Sequence, residues 1–481
     1  MAGVSNRDSR KGKALTKAAR FVSDQADGVG AGKRSHRHVF DLCSPRMTHR
    51  IADNCSGGGL MVVALNRRAG STMVIVFSLL FLSILINYID RGNLSVAAPL
   101  LKDELHISAF QLGVLFAAFF WTYSTVQIFS GWMIDGYDVN WVLAAGFVVW
   151  SLATTATGLI HGFAMLIAVR MLLGAAESVA FPSYGKIIAL HVPYQHRGIA
   201  NAVIMAGMSA GPAVGTYACG ISMARYGWRP VFIVLGLVSL IWVAPWLHWM
   251  PKTTIAEQDA KAAVSAADIF RRRSFWGASV GHFCIAYPWY FILLWLPLYL
   301  VRERYLSMQE MALQAALFYV IYALVAPATG WIADAYIRNG ASVNTVRKSF
   351  MAIGHGLAVL GVAACAASDA RLSFAGLMVM GCGLGFCGPN IFVFAQTLAG
   401  PAAVGKWTGM QNWLGNIAAV VVGPLTGFIV DRTGHFGWAF GVCAAVTVLG
   451  GISWIQLVGH LTQINWRVEP HAATAAATNA A

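Results

Sequence analysis

Two stretches of this chain carry charge where chemistry would need it. In "LINYIDRGNL" an aspartate and an arginine, Asp90 and Arg91, sit side by side inside an apolar run. In "RMLLGAAES" Arg170 and Glu177 stand seven residues apart inside another. A charge at the centre of a bilayer costs about 2.5–3.5 kcal/mol on insertion scales, so ionisable residues kept in such runs are functional by default. Neighbours on a helix point about 100° apart, so Asp90 and Arg91 cannot face one partner. One can aim at a central cavity while the other meets adjoining helices or water; the bland alternative is a structural ion pair between helices. Arg170 and Glu177 share a helix face, about 10.5 Å apart along the axis. That gap is too long for a comfortable salt bridge and suits a cation and a titratable acid flanking one cavity. Burial and a nearby guanidinium bias such a carboxylate in opposite directions, a balance that lets it load and unload a proton. Pro182, just beyond in "ESVAFPS", should kink or loosen the helix.

The elements that position these charges are membrane spans. The chain has 481 residues, 57% hydrophobic and only 11% charged, with a mean hydropathy of +0.61. Soluble domains carry about 25% charged residues. Runs of about 20 apolar residues, the length a span needs, occur twelve times, at roughly 71–97, 109–134, 141–160, 163–189, 198–222, 229–249, 276–300, 311–334, 348–368, 372–397, 407–430 and 437–459. The first sixty residues differ: they hold 11 of the 34 Lys+Arg and no apolar periodicity. We expect residues 1–65 to form a disordered basic extension, with Met61 a candidate true start and no signal peptide. Of the later Lys+Arg, 14 fall at the end holding both termini and 7 at the other, with Arg91 and Arg170 embedded. This bias predicts cytoplasmic termini. The eight cysteines form no Cys-x-x-Cys pair, and Cys382 and Cys387 lie mid-span, which reads as apolar packing before metal or disulfide chemistry.

The spans divide six and six about a charged connection at 251–275, with 66–250 and 276–460 as the halves and 461–481 as a tail. "SGWMIDGY" after span two matches "TGWIADAY" after span eight, aligning Gly131 with Gly330 and Asp135 with Asp334. "AGPAVG" in span five matches "VGPLTG" in span eleven, and "YGWRPVF" and "FGWAFGV" open spans six and twelve. Three matches in one order argue for duplication, and repeated halves with a midplane site between them are a transporter design. Gly207, Gly211, Gly215 and Gly220 recur at close to four-residue spacing, giving one smooth face for a close helix neighbour.

These residues resemble the major facilitator superfamily. Gly131-x-x-x-Asp135 and Gly330-x-x-x-Asp334 match its gating-loop signature, and Arg170 with Gly174 matches its span-four signature. "INYIDR", "ESVAFPS", "YPWYFILLWLPLYLVRERYLSM" and "GMQNWLGNIAAVVVGPLTGFIVDRTG" are similar to the anion:cation symporter family, of the hexuronate, galactonate and glucarate type, over about residues 66–460. Three positions depart from the pattern. Asp138, Asn140 and Trp141 replace the first loop's usual glycine and basic residues, so that only Arg347-Lys348 keeps the basic cluster. Met208 stands where sugar-acid carriers often have a polar residue.

The resemblance implies roles. Asp90 and Glu177 match proton-coupling carboxylates, Arg91 and Arg170 the basic residues near substrate, and Tyr88 and Tyr123 aromatic hydroxyls beside it. Asn390, Asn412 and Asn416 are candidates to bond substrate from the second half, or a neighbouring helix instead. Tyr287, Trp289, Tyr290 and Trp295 could stack on substrate or simply pack, and the lone span histidines His282 and His355 receive no role. With Pro182 aligned on Pro389, Glu177 falls opposite Leu384, so proton chemistry belongs to the first half. Lys186 is expected to snorkel, and Asp431-Arg432 and Arg302-Glu303-Arg304 to be solvated loop charge.

The resulting expectation is an all-α membrane protein of twelve helices in two pseudo-symmetric halves. It would import a small organic anion with protons, a sugar acid or another carboxylate, across a bacterial-type inner membrane. Aromatic carboxylates and proton-driven drug or metabolite export are the alternatives on the same fold; a receptor that kept the fold is a third. The sequence offers no haem-histidine pair, metal-ligand spacing or activated nucleophile, so no enzyme is expected. No cofactor is expected beyond the coupling proton, no metal, no nucleic-acid partner, and a monomer in the bilayer.

Overall fold

The computed structural model describes residues 48–192, 197–250, 264–367 and 369–466; for 48–73, 131, 132, 135, 197, 198, 401 and 402 it describes the backbone alone. Among the described residues are twelve helices long and apolar enough to cross a membrane: Val74–Leu105, Ala109–Ser130, Val139–Leu159, Phe163–His191, Ile199–Tyr226, Trp228–Trp249, Arg273–Arg302, Met308–Arg338, Val343–Cys365, Ala370–Gly400, Ala403–Thr433 and Gly437–Leu457, here spans 1 to 12. The expected count therefore holds, and the chain is a multi-pass membrane protein with no strand among the described residues.

Of the basic extension, residues 1–47 lie outside the described residues, as do 251–263 of the connection and 467–481 of the tail. From Thr48 onward the backbone is helical and runs into span 1, where a structureless chain to residue 65 was expected. Extending an existing helix needs no new nucleus, so residues beside a long span adopt helix cheaply. At the other end of the chain, 461–466 fold back on span 10 through Ile464 N–H to the Leu398 carbonyl and Trp466 Nε1 to the Ala399 carbonyl.

The duplication extends to helix caps. Ser108 accepts from the Gln111 N–H while Gln111 reaches back to the Ser108 N–H, opening span 2 with a capping box. Ser307 and Glu310 form the same reciprocal pair at the start of span 8, its counterpart in the second half. Spans 10 and 11 lie in one helical stretch, Ala370–Thr433, in which only Gly400 leaves helical geometry, at φ 61°.

Glycines set which spans approach closely. A Cβ on Gly207, Gly211 or Gly215 of span 5 would press into Ile84, Tyr88 and Ile89 of span 1, at 2.2, 2.6 and 3.0 Å. Gly220, expected on the same face, instead meets Ala312 of span 8, because a straight helix cannot follow one neighbour over its whole length. The second seam between halves joins spans 2 and 11. A Cβ on Gly113 would sit 2.2 Å from the Gly423 carbonyl oxygen, and one on Gly427 would sit 2.3 Å from that of Ala109. The pairs 5·8 and 2·11 exchange under a swap of halves, so the interface shares the symmetry of the sequence.

We call the end that carries the 251–263 connection the linker end and the opposite one the far end. The far end is shut by side chains expected to be solvated charge. Arg302 pairs with Asp103 of span 1, Arg304 donates to the carbonyls of Cys365 and Ala367, and Glu303 accepts from the Phe436 N–H at 2.7 Å. Asp431 accepts from the N–H groups of Ala109 and Phe110 at 2.9 and 2.7 Å, crossing the 2·11 seam. Helix N-termini present free N–H groups that only a nearby acceptor satisfies, a partnership invisible to a reading of loop composition.

Candidate functional site

A cavity of about 1150 Å³ lies between the halves. Its lining runs from Tyr88 and Arg91 at mid-membrane to Ala189, Asn201, Gly330 and Val404 near the linker end, where it opens. Span 4 turns beside it. Helix runs over Phe163–Glu177, is interrupted at Ser178 and Val179, and resumes over Ala180–His191. Pro182 has no N–H for the Ser178 carbonyl, which releases the turn there as the sequence suggested.

The break leaves Glu177 fully buried against span 1. Arg91 Nε donates to Glu177 Oε2 at 2.9 Å, with the two side chains 4% and 0% exposed. The Arg91 guanidinium lies 4.4 Å from the ring centroid of Tyr123, 5.1 Å from Tyr88 and 5.3 Å from Phe119, positions that favour a cation over an aromatic face. Its Nη2 makes no hydrogen bond among the described residues. Arg91 is the one of the four embedded charges that lines the cavity.

Asp90 points away from the cavity, as two neighbours on a helix require. Its Oδ1 accepts from Asn93 Nδ2 at 3.4 Å, and its Oδ2 makes no hydrogen bond among the described residues. The Thr154 hydroxyl lies near it, and it is within electrostatic reach of Glu177 and Arg170. Arg170 is buried against Phe119, 5.2 Å from the ring centroid, and its Nε and Nη1 make no hydrogen bond among the described residues. Arg170 feels Glu177, Asp90 and Arg91 in turn. The four charges form one buried cluster, two acids and two arginines, with formal charge zero when both acids are ionised. Each proton it accepts makes it more positive by one unit, and only Arg91 presents that charge to the cavity. The spacing argument put Arg170 and Glu177 on one helix face flanking a cavity; instead neither lines it, and both sit in the wall behind Arg91. Which partner Glu177 takes is set by the packing of spans 1 and 4, which helical periodicity within span 4 does not contain.

The remaining candidates separate. Tyr88, Asn412 and Asn416 line the cavity. The Tyr290 hydroxyl donates to Asn416 Oδ1 at 2.6 Å. Tyr123 stacks behind Arg91 and does not reach the wall. Asn390 does not line the cavity: its Oδ1 accepts from Arg347 Nη1 at 3.1 Å and its Nδ2 donates to the Phe386 carbonyl. Arg347 also pairs with Asp334, so the gating-loop aspartate of the second half is tied to spans 9 and 10. Gly330 lines the cavity, while for Gly131 and Asp135 the structure describes the backbone alone. In the first half the basic cluster is absent as expected, and Lys186 donates to the Ile134 carbonyl there instead. Asp138 caps span 3 through the Asn140 N–H. Trp289 and Tyr290 line the cavity, whereas Tyr287 and Trp295 are packed in the core.

Phe119 and Phe181, which complete the aromatic surround of Arg91, were not singled out from sequence. Phe119 and Tyr123 are four apart, hence on one helix face, and that spacing was a usable signal. His282, Thr408 and Ser209 also line the cavity without having been assigned a role.

The comparisons agree with this architecture. The family model described as Major Facilitator Superfamily matches residues 80–342 and 280–478. The chain is similar to a hexuronate transporter of Bacillus subtilis (strain 168), 29% identical over 406 residues covering 80% of this chain and 94% of that one. It is also similar to a D-galactonate transporter of Escherichia coli O6:H1, 25% identical over 426 residues, 82% and 98% of the two chains. Among solved structures, a D-xylose-proton symporter superposes with a TM-score of 0.66 at 14% identity, covering 81% of this chain and 98% of that one. A bacterial homolog of the human lysosomal transporter Spinster, in an inward-facing and unoccupied conformation, superposes at 0.64 with 16% identity, covering 80% and 94%. With a match that spans most of its twelve helices, the chain belongs to the major facilitator superfamily, whose members are membrane transporters and not enzymes.

Proposed function

We propose that this protein is a proton-coupled importer of small organic anions working by alternating access in a cytoplasmic membrane, as a monomer with both termini inside. One observation carries the reading: a buried cluster of Asp90, Arg91, Arg170 and Glu177 touches the cavity through Arg91 alone. While Glu177 is ionised it holds the Arg91 guanidinium internally. A proton on Glu177 removes that competing charge, and a substrate carboxylate then takes the guanidinium in a charge-assisted contact. Proton and anion thus favour one another's binding, which is the requirement for symport. Asp90, deeper in the cluster, serves as the second titrating acid, and the pair titrates together. The relatives named as hexuronate and D-galactonate transporters support an anionic cargo, and the arginine at the cavity wall opposes a cationic drug.

The test is uptake into proteoliposomes with an inside-alkaline pH gradient. Carboxylates should accumulate, collapse of the gradient should stop accumulation, and Arg91→Ala should abolish it. Accumulation of organic cations, or carboxylate uptake indifferent to the gradient, would refute the proposal.

A further inference from the structure

We infer that the anion carried has a flat aromatic body, an aryl carboxylate with few ring hydroxyls, in place of the polyhydroxylated chain of a sugar acid. The inference rests on the anion-carrier reading and narrows its substrate class. Around Arg91 the cavity is walled by rings from both halves. Tyr88 and Phe181 of the first half pack edge to face at 6.4 Å, and Trp289 and Tyr322 of the second lie 4.7 Å apart across from them. A carboxylate held by Arg91 would place its attached group between these pairs. Aromatic faces reward an aromatic ring through offset and edge contacts beyond its buried area.

Hydrogen-bonding groups are unequally shared between the halves. The first-half wall beyond Tyr88 presents Met205, Ala206 and Met208, and the Ser209 hydroxyl already donates to the Met205 carbonyl at 3.0 Å. Asn201 stands seven residues before Met208, about 10 Å nearer the mouth. Apart from the Tyr88 hydroxyl beside Arg91, the side-chain polar groups that remain near mid-cavity, among them His282, Thr408, Asn412 and Asn416, belong to the second half, and the Asn416 carbonyl oxygen is taken by Tyr290. His282, on the second-half wall of the cavity, is a reader for one distal polar substituent. An extended polyol carries hydroxyls on both of its sides. Those turned to Met205 and Met208 would lose water without gaining partners, at about tenfold in affinity for each. A ring with one polar substituent satisfies both walls.

The experiment is competition binding on the purified full-length protein. Benzoate and 4-hydroxybenzoate represent the aryl class, D-galactonate and D-glucuronate the sugar acids, and cyclohexanecarboxylate the same shape without the ring electrons. 4-Hydroxybenzoate should bind at least about tenfold tighter than either sugar acid. Trp289→Leu should weaken the aryl acids several-fold more than cyclohexanecarboxylate. Met208→Gln, which adds polar partners to the first-half wall, should narrow the gap in favour of galactonate. Sugar acids binding more tightly than both aryl acids, with that binding lost in Arg91→Ala, would overturn this inference and leave the anion-carrier reading standing. Binding of neither class, or binding unaffected by Arg91→Ala, would overturn both.

Discussion

Glu177→Gln tests the coupling most directly, because glutamine keeps the shape of the acid and cannot release a proton. In the structure Glu177 engages one guanidinium nitrogen, Nε, at 2.9 Å. Glutamine still accepts from the charged guanidinium, so the exchange moves the bond from the upper toward the lower end of the about 1.5–3 kcal/mol that bonds to charged groups are worth. It therefore frees at most about 1.5 kcal/mol of Arg91's interaction, which is up to about tenfold in anion affinity. The sign follows from linkage: a proton on Glu177 and an anion on Arg91 favour each other, so wild-type affinity should fall as pH rises through the titration of the cluster. The variant should lose much of that pH dependence, keeping only what Asp90 contributes, and bind near neutral pH almost as tightly as wild type does in acid. Isothermal titration of a transported carboxylate across pH reads this directly. In proteoliposomes, gradient-driven accumulation should disappear while exchange of anion for anion continues, since the neutral carrier still binds and rocks. Wild-type accumulation in Glu177→Gln, or an unchanged pH slope of binding, would reduce Glu177 to a structural partner of Arg91.

Arg91→Ala should weaken anion binding at least about tenfold by the loss of a charge-assisted partner, and Arg91→Lys should restore only part of it for want of the planar fork; equilibrium binding checks both. Arg170→Ala should lower the melting temperature and shift the pH dependence of binding more than its acid-limit affinity, because Arg170 acts on the cluster from behind Phe119. Gly113→Ala should hold the far end ajar, since the new Cβ would lie 2.2 Å from the Gly423 carbonyl; a cysteine at Phe116 should then react faster with an impermeant thiol reagent added from that side. Deleting residues 1–60 should leave insertion and uptake intact, as read by expression and transport of the shortened chain.

The spans were legible because their apolar runs have the length a bilayer demands, and Pro182 announced the break in span 4. The clustered charges were legible too, since nothing else in an apolar run costs as much. Their pairing was not. Periodicity orients Glu177 on span 4 and Arg91 on span 1, but only the close approach of these helices decides that Glu177 meets Arg91 and not Arg170. Asn390 shows the same limit: a polar residue in a span is equally suited to substrate and to a neighbouring helix, and here the long side chain of Arg347 claims it. Asp431 and Arg302 stay exposed as read, but their partners were not legible for a related reason, as Asp431 reads as a loop acid until span 2 begins within its reach.

That aspartate also bears on how the carrier idles. Its two bonds to the start of span 2 join the halves across the shut far end, and parting spans 2 and 11 to open that end would break them. Capping interactions contribute about 0.5–2 kcal/mol, and an exposed carboxylate belongs near the lower end of that range. This contact alone then biases the empty protein toward the shut far end by about two- to fivefold. Under the proposed symport, a carrier that waits in this way would keep its buried acids in exchange with one compartment only. Protons loaded from the other side in the absence of cargo would become rarer, and the idle carrier would drain less of the gradient proposed to drive it.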